Sequence, residues 1–301
     1  MRCVQDYDQN ALLLINPVAG RKTVQHHLTQ IIRILMNKGY LVTTMVSSCP
    51  GEVTEFAKRY GGNYDLLVCA GGDGTLHEAV NGLAKGEHQT PLGYIPCGST
   101  NDFATSHGLQ TDRLKSACAI ADGRSQIYDI GRFNGQYFTY VAAFGAFTWM
   151  AYTTDQSIKN RIGYGAYLLD GARDLNRLKP LPMRLTVDNS TIYEGEYLYG
   201  SISNSSSVGG IIDFPNTMVD LCDGKFEVFL VKAPKSFLEL EQTIHCILVQ
   251  DFSHPNLVLC QGSDIVIENL AYKEWCLDGE SSGVFETAHI MPVLGFLCLR
   301  G

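Results

Sequence analysis

The sequence predicts an α/β domain with a parallel, helix-covered sheet, followed by a mainly antiparallel β domain. Three observations carry that expectation. Short apolar runs alternate with helical patterns up to Gly123, the arrangement that yields parallel strands joined by crossover helices. From Gln126 onward, short strand patterns separated by turn residues dominate, as in a sandwich or an irregular barrel. The length, 301 residues, exceeds the size at which one hydrophobic core usually stops growing. The change of pattern puts the junction near residues 124–127, without a Pro- or Ser-rich linker to mark it. The expected domains are residues 1–126 and 127–289, with 290–301 a candidate to return to the first.

In the first domain, residues 11–15 form an apolar run ending in Asn16-Pro17. A helical pattern follows through Ile31, Ile32, Leu35 and Met36 until Gly39 closes it. Residues 40–46 read as a second strand, and Pro50-Gly51-Glu52 opens a helix carrying Val53, Phe56 and Ala57. Residues 66–70 are a third strand that runs into Gly71-Gly72-Asp73-Gly74-Thr75. The next helix puts Leu76, Ala79, Val80 and Leu83 on one face and ends at Gly86. Residues 92–95 are the fourth strand, and 114–121 a helix stopped by Asp122-Gly123. In the second domain, residues 127–133 and 137–143 flank Asn134-Gly135, a pair suited to the positive φ angles of a type I′ hairpin turn. One helix is expected at 161–178, then strands at 183–187, 193–203, 224–231, 256–259, 265–267 and 293–299.

Apolar residues make up 45% and charged residues 18%, a globular balance that argues against disorder. The net charge is −8, from 23 basic and 31 acidic residues; a protein that grips a polyanion carries the opposite sign, so nucleic acid is not an expected partner. The ten cysteines are scattered without a Cys-x-x-Cys pair, and several, such as Cys69, sit in apolar runs. They read as buried free thiols in a reducing cytoplasm. Residues 1–10 lack the apolar core of a signal peptide, and the longest weakly polar stretch, 137–154, is too polar for a membrane span. The expected location is cytoplasmic, with any membrane contact peripheral, and nothing in the pattern specifies an oligomeric state.

Three loops at strand ends carry the chemistry. Ligands of an open parallel sheet gather at the carboxyl ends of its strands. Asn16-Pro17-Val18-Ala19-Gly20 lies at the first, where Pro17 stiffens the turn and Gly20 lets backbone approach a ligand. Gly71-Gly72-Asp73-Gly74-Thr75 lies at the third, and exposed N–H groups at a helix start favour phosphate there. Asp73 repels phosphate unless a cation or a sugar hydroxyl mediates, which points to Mg²⁺ or ribose. The dinucleotide pattern G-x-G-x-x-G fails at His77, and no Gly-Lys-Ser/Thr occurs, so no Walker A loop is present. Pro96-Cys97-Gly98-Ser99-Thr100-Asn101-Asp102-Phe103 follows the fourth strand, offering donors and an Asn-Asp pair to cap the next helix. In the second domain, Asp220-Leu221-Cys222-Asp223-Gly224-Lys225 and Leu277-Asp278-Gly279-Glu280 read as turns. Asp129 is a carboxylate in an otherwise apolar strand, which calls for a partner.

At these residues the chain resembles the diacylglycerol-kinase catalytic family, specifically the bacterial lipid kinases, over nearly its whole length. The most specific parts are Gly71-Gly72-Asp73-Gly74-Thr75-Leu76-x-Glu78-x-x-Asn81-Gly82 and Ile95-Pro96-x-Gly98-Ser99-x-Asn101-Asp102-Phe103. The resemblance implies a Rossmann-like nucleotide-binding domain, followed here by a β-sandwich domain that takes the lipid. It implies that Asn16, Gly20, Gly71, Gly72, Asp73, Gly74, Thr75 and Ser99 contact ATP, with Ser47 a further candidate. Asp73 would work with Mg²⁺ at the nucleotide, Glu280 would be the catalytic base, and Asp129 its acidic partner. A structural Mg²⁺ would sit on the Asp223 carboxylate and the main-chain carbonyls of Asp220 and Lys225, an oxygen-only set that suits this ion. His77, Ser99, Thr105 and the Pro215-Asn216-Thr217 run depart from the family pattern.

Two other readings stand beside this one. NAD kinases share the Gly-Gly-Asp-Gly-Thr loop but use a downstream Asn-Glu pair, which this chain lacks. A catalytically silent nucleotide- or lipid-binding member would have lost Asp73 or Glu280, and both are present. The acceptor is expected to enter a cleft between the domains, facing Asp73 and Glu280. Tyr137, Tyr140, Phe144, Phe147 and Trp149 are either its apolar wall or β-domain core.

Overall fold

A computed structural model describes residues 7–19, 24–98, 101–145, 180–208, 211–215 and 217–301. The expected helix at 161–178, together with Gly20, Ser99, Phe147 and Trp149, lies outside the described residues. The chain divides into two compact units, Met1–Ile130 with Leu294–Gly301, and Gly131–Val293.

The first unit runs β1 (Gln9–Ile15), α1 (Val24–Met36), β2 (Tyr40–Val46), α2 (Glu52–Tyr60), β3 (Leu66–Gly71), α3 (Asp73–Lys85), β4 (Leu92–Pro96), α4 (Asp102–Ser106) and α5 (Arg113–Asp122). β5 (Ser125–Phe133) then crosses the boundary between the units, so Asp129 belongs to the first. The strands pair in parallel in the order β2-β1-β3-β4, and Leu299 and Arg300 pair in parallel with Leu92 and Gly93 of β4. β3 and β4 are buried at every residue, as is β1 from Ala11 on, as strands covered on both faces must be. On one face Ile31 and Leu35 of α1, with Ala117 and Ile120 of α5, pack on Leu13, Ile15, Val68 and Ile95. Side-chain alternation sends Leu12, Leu14 and Leu67 to the other face.

Two residues of the glycine-loop motif are explained here by architecture. Glu78 of α3 accepts hydrogen bonds from the N–H groups of Gly51 at 2.9 Å and Val53 at 3.2 Å, so its carboxylate caps the start of α2. A Cβ on Gly82 would lie 2.4 Å from the Thr54 carbonyl oxygen and 2.5 Å from the Ala57 Cβ, so α2 and α3 meet this closely only over a glycine.

The second unit adds β6 (Gln136–Phe138), β7 (Val141–Gly145), β8 (Leu181–Val187), β9 (Thr191–Ser203), β10 (Ser207–Val208), β11 (Ile212–Asp213), β12 (Phe226–Lys232), α6 (Phe237–Leu248), β13 (Leu257–Gly262), β14 (Ile265–Leu277) and most of β15 (Glu280–Arg300). Two long strands are shared between partners. β9 pairs with β8 through its first half and with β7 and β12 through its second. β14 pairs with β8 through Ile265 to Asn269 and with β7 through Trp275 to Leu277. The ring β8-β9-β7-β14 encloses the core, where Trp275 lies between Phe133 at 4.8 Å and Phe144 at 4.7 Å. Phe144 is therefore core, not an exposed wall.

The sequence pattern misses three things in this unit. α6 is announced by Ser236-x-x-Glu239: the Ser236 hydroxyl accepts from the Glu239 N–H at 3.2 Å, and the Glu239 carboxylate accepts from the Lys235 N–H at 2.7 Å. Leu240 and Ile244 then pack on Leu198. β14 and β15 are far longer than the stretches 265–267 and 293–299, because register shifts at Glu268/Lys273 and Trp275/Cys276 break the period-two alternation. Among the described residues no helix is long and apolar enough to cross a membrane.

Candidate active site

In the first unit the carboxyl ends of the strands finish in register: Ile15 lies beside Val46 and Ala70, and Gly71 beside Pro96. From β1 the chain crosses to β2 on one side and later returns to β3 on the other. A crevice opens where such crossovers change side, and ligands of open α/β sheets bind there. Asn16 stands at that point. Its N–H donates to the Ala70 carbonyl at 3.1 Å, its side-chain amide donates to Thr75 Oγ1 at 3.0 Å, and its Oδ1 accepts from the Val18 N–H at 3.1 Å. One side chain thus ties the first loop to the first turn of α3. Ser47, buried just past β2, donates its N–H to the Ile15 carbonyl at 2.9 Å and its hydroxyl to the same oxygen at 3.3 Å.

Gly72 occupies the N-cap of α3 and brings no side chain to its end. A 13-residue helix therefore starts with its amide groups turned toward the strand ends. The loop after β4 presses on this turn: a Cβ on Gly98 would lie 2.9 Å from the Gly72 Cα, and the Cys97 N–H donates to the Gly71 carbonyl at 2.7 Å. Gly98 needs to be glycine because the two loops touch, and a Cβ on Gly72 would crowd the Gly98 Cα at 3.3 Å. Asn101 does not cap α4 as expected. It adopts a left-handed conformation, φ 53°, and its Oδ1 accepts from the Gly98 N–H at 2.8 Å while its amide donates to the Gly98 carbonyl at 3.2 Å. The oxygen that would cap the helix is used to close the loop.

Asp73 sits in the first turn of α3. Its Oδ1 accepts from the Tyr94 hydroxyl at 3.3 Å and from the Phe103 N–H at 3.4 Å. Burial, with the Asp73 charge adding to it, pushes the Tyr94 phenol far above its ordinary range, so Tyr94 stays a donor. Asn16, Ser47, Gly71, Gly72, Asp73, Gly74 and Thr75 are thus gathered at one sheet edge; Gly20 and Ser99 lie outside the described residues.

In the same unit Asp129, 4% exposed, accepts the Gly295 N–H at 2.6 Å, where Gly295 has φ 56° and bends β15. Its described partner is main chain.

In the second unit Glu280 is exposed and opens β15, paired with Leu277 across the Asp278-Gly279 turn. The Asp220–Lys225 segment is a loop of two successive carboxylate turns. Asp220 Oδ1 accepts from the Cys222 N–H at 3.0 Å, and Asp223 Oδ1 accepts from the Lys225 N–H at 2.9 Å. Among the described residues no three His, Cys, Asp or Glu side chains gather. A cation on this loop would lean on main-chain carbonyls, and such hard oxygen donors fit Mg²⁺.

Sequence reasoning missed Glu227, which lies behind that loop and is 1% exposed. Its Oε1 accepts from the Gln261 side chain at 3.1 Å, while Oε2 has no partner within hydrogen-bond geometry among the described residues. A lone acid in Phe226-Glu227-Val228-Phe229-Leu230 was the available signal. Burial, with a smaller push from the Asp223 charge, raises its pKa from 4.5 to about 7, against the pull of Gln261 and nearby main-chain N–H groups. The folded chain therefore holds a proton that the unfolded chain releases from pH 4.5 upward. Its stabilising contribution is full below pH 4.5 and is lost as pH rises to about 7. In a chelator, Glu227→Gln should flatten the fall of melting temperature across that window and melt above the parent beyond it. An unchanged slope would remove Glu227 from the titration.

Residues 10–133 match the family described as the diacylglycerol kinase catalytic domain. The diacylglycerol kinase of Bacillus subtilis (strain 168) is 30% identical over 279 residues, covering 92% of this chain and 91% of that one. The diacylglycerol kinase of Staphylococcus aureus (strain Newman) is 29% identical over 281 residues, covering 91% and 87%. A solved Bacillus anthracis (strain Sterne) structure, described as that of a candidate diacylglycerol kinase, aligns with TM-score 0.79 at 26% identity, over 97% of this chain and 96% of that one. Matched over residues 10–133 by the family and along nearly its full length by such relatives, the chain belongs to the diacylglycerol kinase family and is a kinase.

Proposed function

We propose that this kinase transfers the γ-phosphate of ATP to a hydroxyl of a lipid such as diacylglycerol. The observation that carries the reading is the clasp at the sheet edge, where the Asn16–Thr75 bond and the Gly72–Gly98 contact hold a bare helix start beside an acid. Helix-start amides are suited to phosphate oxygens. Asn16, Gly20, Ser47, Gly71 to Thr75 and Ser99 position the nucleotide. Asp73, its carboxylate fixed by Tyr94 and Phe103, would hold Mg²⁺ at the phosphates. That ion supplies charge neutralisation for the transferring group when bound.

Glu280 takes the proton of the acceptor hydroxyl, and Asp129 supports the acidic network. The Asp220, Asp223 and Lys225 loop would hold a second, structural Mg²⁺. The first unit serves the nucleotide and the second the acceptor. The similarity to diacylglycerol kinases and the Leu277-Asp278-Gly279-Glu280 turn favour a lipid over a dinucleotide. Because its proposed acceptor resides in a membrane, the kinase would meet the bilayer peripherally.

The test is γ-labelled ATP with Mg²⁺, offered diacylglycerol vesicles, phosphatidylglycerol vesicles and NAD in parallel. Label is expected in a lipid product. Label in NAD and in neither lipid would overturn the proposal.

A further inference from the structure

The turn that carries Glu280 is anchored in an unusual way. Asp278 and Gly279 have φ 50° and 89°, the positive values of a two-residue hairpin turn. An aspartate in such a turn needs only to tolerate positive φ, and its carboxylate ordinarily faces solvent. Here Asp278 is 3% exposed and points inward. Its Oδ2 accepts from the Thr139 N–H at 2.7 Å and the Thr139 hydroxyl at 3.0 Å. Its Oδ1 accepts from the Tyr140 N–H at 3.0 Å and the Val141 N–H at 3.1 Å. Three successive main-chain amides and a hydroxyl thus converge on one carboxylate, the concave nest that binds free anions elsewhere. The Asp278 N–H donates back to the Val141 carbonyl at 2.9 Å, closing the link. Alongside, β7 and β14 pair Leu277 with Ala142.

Turn geometry alone accounts for none of these four bonds. They fix the turn to the start of β7, two residues before Glu280 leaves it. The donors are all N–H or O–H groups, so only an ionised carboxylate satisfies every one; an asparagine would present its own N–H₂ to at least one of them. We infer that Asp278 is a positioning residue that acts through Glu280, holding the hairpin turn against residues 139–141 so that the base keeps one place. The inference rests on the reading of Glu280 as the base.

The experiment is a cycle of four chains: parent, Asp278→Asn, Glu280→Gln and the double variant, assayed at saturating ATP with diacylglycerol vesicles, with melting temperatures recorded. Displacing a reacting group by about 1 Å can cost 10²-fold, so Asp278→Asn should lower kcat by about 10- to 100-fold. The KM for ATP should not move. In the Glu280→Gln background the same substitution should cost less than about threefold, because a residue that works through the base has nothing left to position. Thr139→Val removes one donor and leaves the main chain intact. It should cost kcat in the same direction by a smaller factor, and it keeps the test open if Asp278→Asn does not fold.

A parental kcat in Asp278→Asn, or an equal loss in both backgrounds, would overturn the inference. So would a fall confined to melting temperature in Thr139→Val. Parental activity in Glu280→Gln alone would instead overturn the assignment of the base, and this inference with it; that single arm tells the two failures apart.

Discussion

Glu280→Ala should lower turnover by about 10²–10⁴-fold, the usual contribution of a positioned general base. ATP affinity should stay at the parental value, because every described residue of the proposed nucleotide site belongs to the first unit and Glu280 to the second. The fold should tolerate the change: Glu280 is exposed, and the turn before it is held by Asp278. The measurement is phosphoryl transfer to vesicle lipid alongside equilibrium binding of a non-hydrolysable nucleotide. Near-parental turnover would take the base assignment away from Glu280. Loss of nucleotide binding in step with turnover would assign the residue a structural role.

Asp73→Ala should be the other severe variant. A metal that spreads charge at a transferring phosphoryl group supplies several kcal/mol of stabilisation, so turnover should fall by more than about 100-fold. The variant also strips an acceptor from the Tyr94 hydroxyl and the Phe103 N–H, two groups that bring the β4 strand and the α4 start to this carboxylate. Asp73→Asn separates the two effects. It keeps one oxygen for those donors and removes the charge, so its deficit should shrink as Mg²⁺ is raised while the alanine variant stays impaired. Equal activity of the asparagine variant and the parent at low Mg²⁺ would remove Asp73 from metal handling.

The nucleotide half of this reading was legible in sequence because its constraints are local. Buried parallel strands write themselves as unbroken apolar runs, as at Leu66 to Ala70, and a strand end that must meet a helix start without side chains writes itself as glycine. What glycine does not say is which neighbour forbids a side chain. Gly98 is fixed by Gly72, and Gly82 by a helix that precedes it in sequence. Glu78 belongs to the same motif, yet its carboxylate serves the start of α2, a partner more than twenty residues away.

The second unit was harder for physical reasons. Long strands with register shifts lose the alternation that marks a strand, so β14 and β15 surfaced only as fragments. α6 follows a capping box that was there to be read, but its apolar face is narrow, with Leu240 and Ile244 buried and Leu238 exposed. Asp278 looked like a turn residue because hydrogen bonds to residues 139–141 leave no trace in spacing. Glu227 and Asp129 share one signature, an acid inside an apolar strand. The first has a carboxylate oxygen without a hydrogen-bond partner among the described residues, and the second accepts from a main-chain amide.

The pairing of Leu299 and Arg300 with β4 has a consequence for how the chain comes into being. Residues 10–133 carry the family signature, but the sheet they build is short of one strand until Leu299 and Arg300 join it. While the rest of the chain is being synthesised, β4 offers bare amide and carbonyl groups along one edge, the kind of edge that recruits foreign strands. The first unit is thus completed only by residues far beyond its signature. A fragment cut at the signature's end would keep the whole glycine clasp and still lack the strand that seals its sheet.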